Sequence, residues 1–255
     1  MTVVEAGGCC HDNHHSAARH RRRRGPTLPA LAPAPAPVLD WPLPGYGGSP
    51  MLAETSFAAW AEALHARLQA EGIPRIDLIG HSIGGMLAQE FALRFPERVR
   101  ALVLYATTPS FGGRDPAFAE GFLKERLAPL DAGGDMASLA AESMPPMLGP
   151  DAPPEAAPAA IAAMAAVPEA AYRATVRCLT TFNRRDDIGR IAAPTLLLAG
   201  ERDPLAPPRT MERMRDAIRG SRLVVLPKAG HLGHLEYPAA FNAALREFLH
   251  SVREG

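Results

Sequence analysis

Long apolar runs are missing from this chain. No stretch approaches the roughly 18 consecutive apolar residues that a membrane-crossing helix needs, so no membrane partner is expected. Cysteine is scarce: Cys9, Cys10 and Cys178 are the three in 255 residues. They form no repeated spacing, which excludes a disulfide framework and fits a reducing, cytoplasmic setting. An excess of charge of either sign is also absent, since Lys+Arg and Asp+Glu both number 27. Electrostatics therefore gives no reason to expect nucleic acid or an anionic surface as partner.

Residues 1–37 lack the side chains that build a core. They hold His11, His14, His15 and His20, the run Arg21 to Arg24, and a stretch from Pro26 to Pro37 that alternates proline with small residues. Such a segment buries little and is expected to be disordered or extended. Cys9, Cys10, His11, His14 and His15 are metal-ligating types. No second cluster stands at zinc-site spacing, so no metal is expected. The arginines before Leu28–Ala32 have the order of an export signal, but prolines break the apolar centre that such a signal needs.

The rest of the chain alternates strand-like and helix-like segments. Phe57, Trp60, Leu64 and Leu68 repeat at helical spacing and predict one buried face. Arg100–Tyr105, Thr195–Ala199 and Leu223–Leu226 read as buried strands. Phe241, Leu245, Phe248, Leu249 and Val252 predict an amphipathic C-terminal helix. From about Pro109 to Arg190 the pattern is helical only, interrupted by Pro145-Pro146 and Pro153-Pro154. Its Met136, Met144, Met147 and Met164 suit an adaptable pocket or, more simply, packing between helices.

The chemistry concentrates in three loops. Gly80-His81-Ser82-Ile83-Gly84 follows the apolar Ile76, Leu78 and Ile79 and precedes a helix-compatible Met86–Phe95. Gly-x-Ser-x-Gly between strand and helix makes a sharp turn that lifts a serine above its sheet. It also aims the Ile83 N–H at a nascent oxyanion. A serine hydroxyl needs a base, and the base needs an orienting acid. Asp203 follows the Thr195–Ala199 strand, and His231 follows Leu223–Leu226 after Ala229-Gly230. In a parallel sheet all three positions fall at the carboxyl edge, where they can converge. Plainer readings exist: Ser82 as a turn serine, Asp203 as a turn former before Pro204. His234 competes with His231 but falls where the next helix begins. His81 is expected to pack or hydrogen-bond away from the reacting face.

These residues stand in the order serine, acid, histidine. Together with Leu43-Pro44-Gly45-Tyr46-Gly47-Gly48-Ser49, Gly80–Met86, Phe95–Val99, Gly200–Pro204, Ala229-Gly230-His231 and Leu235-Glu236-Tyr237-Pro238, they resemble a bacterial α/β-hydrolase of the serine-nucleophile enol-lactonase and small-esterase type (3-oxoadipate enol-lactonase-like). The resemblance runs from about Val38 to the C-terminus. It implies an α/β-hydrolase fold with a mostly parallel central sheet, a core of residues 38–108 and 191–255, and a helical cap of residues 109–190. It implies Ser82, Asp203 and His231 as catalytic triad, the Ile83 N–H as oxyanion donor, and no cofactor. Family members include enol-lactonases, carboxylesterases, cofactor-free perhydrolases and carbon–carbon bond hydrolases. Haloalkane dehalogenases and epoxide hydrolases place an aspartate where Ser82 stands, which argues against both.

The expected function is hydrolysis of a small carboxylic ester or lactone through an acyl-enzyme. Carbon–carbon bond hydrolysis with the same triad is the alternative, as is a non-enzymatic remnant of the fold. For a substrate carboxylate, Arg173, Arg177, Arg184 and Arg185 are candidate partners beside their plainer role as surface charges. The resemblance also implies three strands before Val38, the third ending in a His-Gly loop that supplies a second oxyanion donor. Nothing in residues 1–37 reads as those strands, and Thr2-Val3-Val4 is too short. The N-terminal strands are therefore expected to be missing or replaced, through a wrong start or a shifted reading frame. An open sheet centre, poor solubility and weak turnover are expected to follow.

Overall fold

The computed structural model describes residues 2–7, 38–111 and 116–254. Their strand-like segments form one six-stranded sheet: β1 (Thr2–Gly7), β2 (Val38–Pro42), β3 (Ile76–His81), β4 (Val99–Tyr105), β5 (Thr195–Gly200) and β6 (Arg222–Leu226). The order is β2-β1-β3-β4-β5-β6, and each pairing is parallel. Parallel neighbours cannot be joined by tight turns and need crossovers. Helix α1 (Phe57–Ala70) connects β2 to β3, α2 (Ile83–Arg94) connects β3 to β4, and α7 (Pro208–Ala217) connects β5 to β6. Four helices lie between β4 and β5: α3 (Pro116–Asp131), α4 (Met136–Ser143), α5 (Ala156–Ala165) and α6 (Glu169–Leu179). The short α8 (Gly233–Glu236) and the long α9 (Pro238–Glu254) follow β6.

Period-two alternation sorts the strand side chains onto two faces. Leu78, Leu102, Leu104, Leu197 and Ala199 join the larger apolar cluster with α1, α2 and α7. Ile79, Ala101, Val103, Leu196 and Leu198 pack instead with Phe241, Leu245, Phe248 and Leu249 of α9. Helix α1 buries the expected row Phe57, Trp60, Leu64 and Leu68. It starts cleanly because the Ser56 hydroxyl accepts the Ala59 N–H at 3.1 Å. Met136, Met144 and Met164 are buried in the larger cluster, which is the packing role. No helix among the described residues is long and apolar enough to cross a membrane.

Strand β1 corrects the expectation that residues 1–37 contribute no strand. Thr2–Ala6 pair with Ile76–Gly80 on one side, and Val3–Gly7 pair with Val38–Pro42 on the other. The place expected to be open, between β2 and β3, is filled. Glu5, Ala6 and Gly7 are weak strand formers, so the apolar reading stopped at Val4. A strand flanked by two partners overrides such preferences, because its ladder is completed on both sides. The open centre is thereby removed as a reason to expect poor solubility, whereas the expected weak turnover rests on the second oxyanion donor. Residues 8–37 lie outside the described residues, and with them the reading of disorder, the arginine run, and the Cys9, Cys10, His11, His14 and His15 set.

A second correction concerns Leu223–Leu226. Its continuous apolar run reads as burial on both faces, as in a central parallel strand. Strand β6 instead lies at the edge of the sheet among the described residues, and Val224 and Val225 are 36% and 37% exposed.

In a strand paired on both sides each amide has a ladder partner, and proline removes one. Val4→Pro is therefore expected to cost about 1–3 kcal/mol, or roughly 2–4 °C of Tm per kcal/mol. Thermal unfolding of the purified variant measures it. An unchanged Tm would mean that β1 contributes nothing to the sheet.

Candidate active site

The tightest turn in the site lies between β3 and α2. Ser82 has φ 52° and ψ −117°, a region that side chains rarely adopt. Gly80 permits it: a Cβ there would meet the Gly84 carbonyl oxygen at 2.3 Å and the Ala88 Cβ at 2.8 Å. Gly85 lets α2 approach the end of β4, since a Cβ there would fall 2.6 Å from Thr107 Cβ. Hydrogen bonds then hold the turn. The Ser82 N–H donates to the Tyr105 carbonyl at 2.9 Å, and the Ser82 carbonyl accepts from Gly85 N–H at 2.9 Å. It also accepts from the Thr107 hydroxyl at 2.7 Å. Ser82 is left half-buried at the mouth of α2. Ile83 opens that helix, so its N–H belongs to the first turn, where amides have no intrahelical acceptor and the helix dipole is positive.

Asp203 and His231 are held at the ends of β5 and β6, both 3% exposed. Asp203 Oδ2 accepts from His231 Nδ1 at 2.9 Å. Its Oδ1 accepts the Leu205 and Ala206 amides at 2.8 and 3.0 Å. Burial pushes this carboxyl upward. The His231 hydrogen bond and charge, with the two amides, outweigh burial and hold it below the usual aspartate value. With Nδ1 donating, the neutral imidazole carries its lone pair on Nε2. The structure thus brings Asp203 and His231 together. Among the described residues no hydrogen bond joins Ser82 Oγ to His231, a contact that often tightens only with substrate bound.

The remaining histidines surround this pair. His81 Nε2 donates to the His231 carbonyl at 2.9 Å, and the Tyr105 hydroxyl donates to the same oxygen at 3.1 Å. His81 stacks on Tyr105 with ring centroids 4.7 Å apart and lies 5.1 Å from the His234 ring. His81 therefore packs and hydrogen-bonds, but against the His231 loop, with its ring 4.9 Å from the His231 ring and not away from it as expected. His234 sits in α8, buried, in contact with rings and not with Asp203. Burial, reinforced by the charge of His231, lowers its pKa to about 3. Burial and the charges of His231 and His234 also hold His81 well below its ordinary value.

Three of the four arginine candidates are otherwise engaged. Arg173 pairs with Glu169 and Asp131, and Arg184 pairs with the buried Glu90 at 2.5 Å. Arg185 donates to Ser110 Oγ at 2.7 Å. Residues that a motif reading passes over are Tyr105 and Thr107. Their position just at the carboxyl end of β4, beside β3, was the available signal.

The family model described as "Alpha/beta hydrolase family" matches residues 11–244. The chain belongs to that family. It is an esterase-type hydrolase. It is 30% identical over 240 residues to a pimeloyl-[acyl-carrier protein] methyl ester esterase of Neisseria meningitidis, covering 85% of this chain and 84% of that protein. It is 32% identical over 229 residues to a 2-succinyl-6-hydroxy-2,4-cyclohexadiene-1-carboxylate synthase of Serratia proteamaculans, covering 82% and 84%. Its fold matches the crystal structure of the enol-lactonase from Burkholderia xenovorans LB400 with a TM-score of 0.81, at 20% identity over 98% of this chain and 91% of that one.

The Gly80 contacts are with backbone, which cannot yield as a flexible side chain does. Gly80→Ala is expected to cost about 1–3 kcal/mol in chemical unfolding. Wild-type stability in that variant would mean that strand and helix do not meet at Gly80.

The histidines set an acid limb. His234 has a folded pKa of about 3, below an unfolded value near 6.5. The unfolded chain therefore binds more protons in between. Its contribution is complete above about pH 6.5 and is lost as pH falls toward 3, by at most about 1.4 kcal/mol per pH unit. Urea midpoints measured across this range should fall less steeply for His234→Gln than for the native chain. Parallel slopes would contradict a neutral, buried His234.

Proposed function

We propose that this chain hydrolyses a small carboxylic ester or lactone through Ser82, His231 and Asp203. The observation that carries the reading is the buried Asp203–His231 pair at 2.9 Å, set at the same sheet edge as the Ser82 turn. His231 Nε2 takes the Ser82 proton as Oγ attacks the carbonyl. The Ile83 N–H stabilises the resulting oxyanion. Collapse of the tetrahedral intermediate expels the alcohol, protonated by His231, and leaves an acyl-serine. Water, activated by the same imidazole, then releases the acid. Asp203 keeps Nδ1 protonated and balances the imidazolium charge. Thr2–Gly7 ends at the carboxyl edge beside Gly80, where a second oxyanion donor is needed. The residues that follow Gly7 lie outside the described ones, so no second donor is assigned.

In this reading helices α3–α6 act as a cap, residues 109–190, over the core of residues 38–108 and 191–255. The bond from the His231 N–H to the Met147 carbonyl at 2.8 Å supports a cap over that edge. The methyl ester named for the Neisseria relative favours acyl–oxygen cleavage. The Serratia relative is named a synthase and not an esterase, and carbon–carbon bond hydrolysis with the same triad is kept as the second reading. Turnover of p-nitrophenyl butyrate against a dienol cleavage substrate separates them. Localisation in the cytoplasm is proposed from cysteine usage alone.

Ser82→Ala is expected to abolish fluorophosphonate labelling and to lower ester turnover roughly 10⁴-fold or more at unchanged Tm. His231→Ala should be far more damaging than His234→Ala, because His231 alone is bonded to Asp203. Labelling retained in Ser82→Ala, or the reverse ranking of the histidines, would exclude this site.

A further inference from the structure

Glu236 lies in the Leu235-Glu236-Tyr237-Pro238 stretch, and the triad chemistry leaves it without a role. It is 3% exposed. Among the described residues its carboxylate takes bonds from backbone amides and forms no ion pair. Oε2 accepts the Gly149 N–H at 2.7 Å. Oε1 and Oε2 share the Gly230 N–H at 3.0 and 3.1 Å. Gly149 belongs to the helical insertion, whereas Gly230 precedes His231. A single carboxylate thus joins two segments far apart in the chain.

The two segments are also in direct contact. The His231 N–H donates to the Met147 carbonyl at 2.8 Å. A Cβ at Gly230 would fall 2.5 Å from both the Gly149 nitrogen and the Met147 oxygen. A Cβ at Gly149 would fall 2.2 Å from the Lys228 oxygen. Backbone is packed directly on backbone, with the Glu236 carboxylate alongside. Burying a carboxylate with no cation is costly unless its oxygens are hydrogen-bonded. A Gln of the same shape would not serve here. It has one acceptor oxygen, and its NH₂ would face an N–H.

We propose that Glu236 is a positioning residue that locks the 147–149 segment of the insertion to the His231 loop, so that placement of the insertion sets the position of the base. This rests on the proposed role of His231. Two further bonds, from His81 and Tyr105, fix the His231 carbonyl from the sheet side. The base is therefore gripped from the core on one side and from the insertion on the other.

Glu236→Gln tests it. On p-nitrophenyl butyrate, kcat is expected to fall about 10–100-fold with KM within about twofold, since displacement of the base harms the chemical step and not binding. Hydrogen–deuterium exchange should quicken in peptides covering 144–149 and 226–232 together, with β3 and β4 unchanged. Gly149→Ala should reproduce this pattern from the other side. The double variant should lose no more than the worse single one, because both break one link. Multiplying losses, faster exchange in only one segment, or unchanged kcat would overturn the proposal. Where Glu236→Gln does not fold, Gly149→Ala carries the same expectations alone. Should the native protein fail to label with fluorophosphonate, the proposed function fails. The paired exchange response then still decides whether Glu236 locks the two segments.

Discussion

The positive φ of Ser82 is the constraint around which the rest is arranged. A side chain held in that region costs on the order of 1–3 kcal/mol and persists only where its surroundings overdetermine it. Here the surroundings are specific. Gly80 and Gly85 remove the atoms that would keep β3, α2 and the end of β4 apart. Tyr105 and Thr107 then close hydrogen bonds onto the serine backbone from the neighbouring strand. Neutral hydrogen bonds each contribute about 0.5–1.5 kcal/mol, so a few of them offset the strain. The parallel pairing of β3 with β4 is what brings those donors and acceptors to the right height. Relaxing the turn would lower the hydroxyl into the sheet and turn the Ile83 amide away.

The same sheet edge handles charge. Among the described residues Asp203 is the carboxylate bonded to the His231 ring, and its second oxygen is already occupied by two amides. It is thus fixed in rotation as well as in charge. Around the pair stand rings that burial keeps neutral, His81 and His234, with the Tyr105 phenol held protonated by burial and the nearby Asp203 charge. Neutral His81, with Nε2 donating to the His231 carbonyl, behaves as a structural hydrogen-bond donor.

Much of this was legible in the residues. The Gly-x-Ser-x-Gly run between an apolar strand and an amphipathic helix announces its geometry, because few backbones fit that spacing. Asp203 and His231 were legible because each follows a short apolar strand. Helices α1 and α9 carried clean 3.6-residue periodicity. Strand β1 was not legible: Glu5, Ala6 and Gly7 have no strand signature, and their conformation is imposed by β2 and β3. The exposure of Val224 and Val225 was hidden too, since an edge strand and a central one can share one apolar run. Glu236 stood in a recognisable stretch, yet its two amide donors come from segments that no local pattern joins.

Strand β1 has a consequence for the order in which this protein is made. It precedes both of its partners in the chain but ends up between them. Val3 meets Val38 early, but Thr2 waits for Ile76. Pairing over such distances is slow, because loops must close before the contacts reward them. During synthesis the β1–β2 ribbon therefore emerges with the row of amides and carbonyls that faces β3 unmatched, until β3 has cleared the ribosome. The edge of the ribbon that awaits β3 is thus the nascent chain's most vulnerable part, and a factor that shields extended segments would act there first.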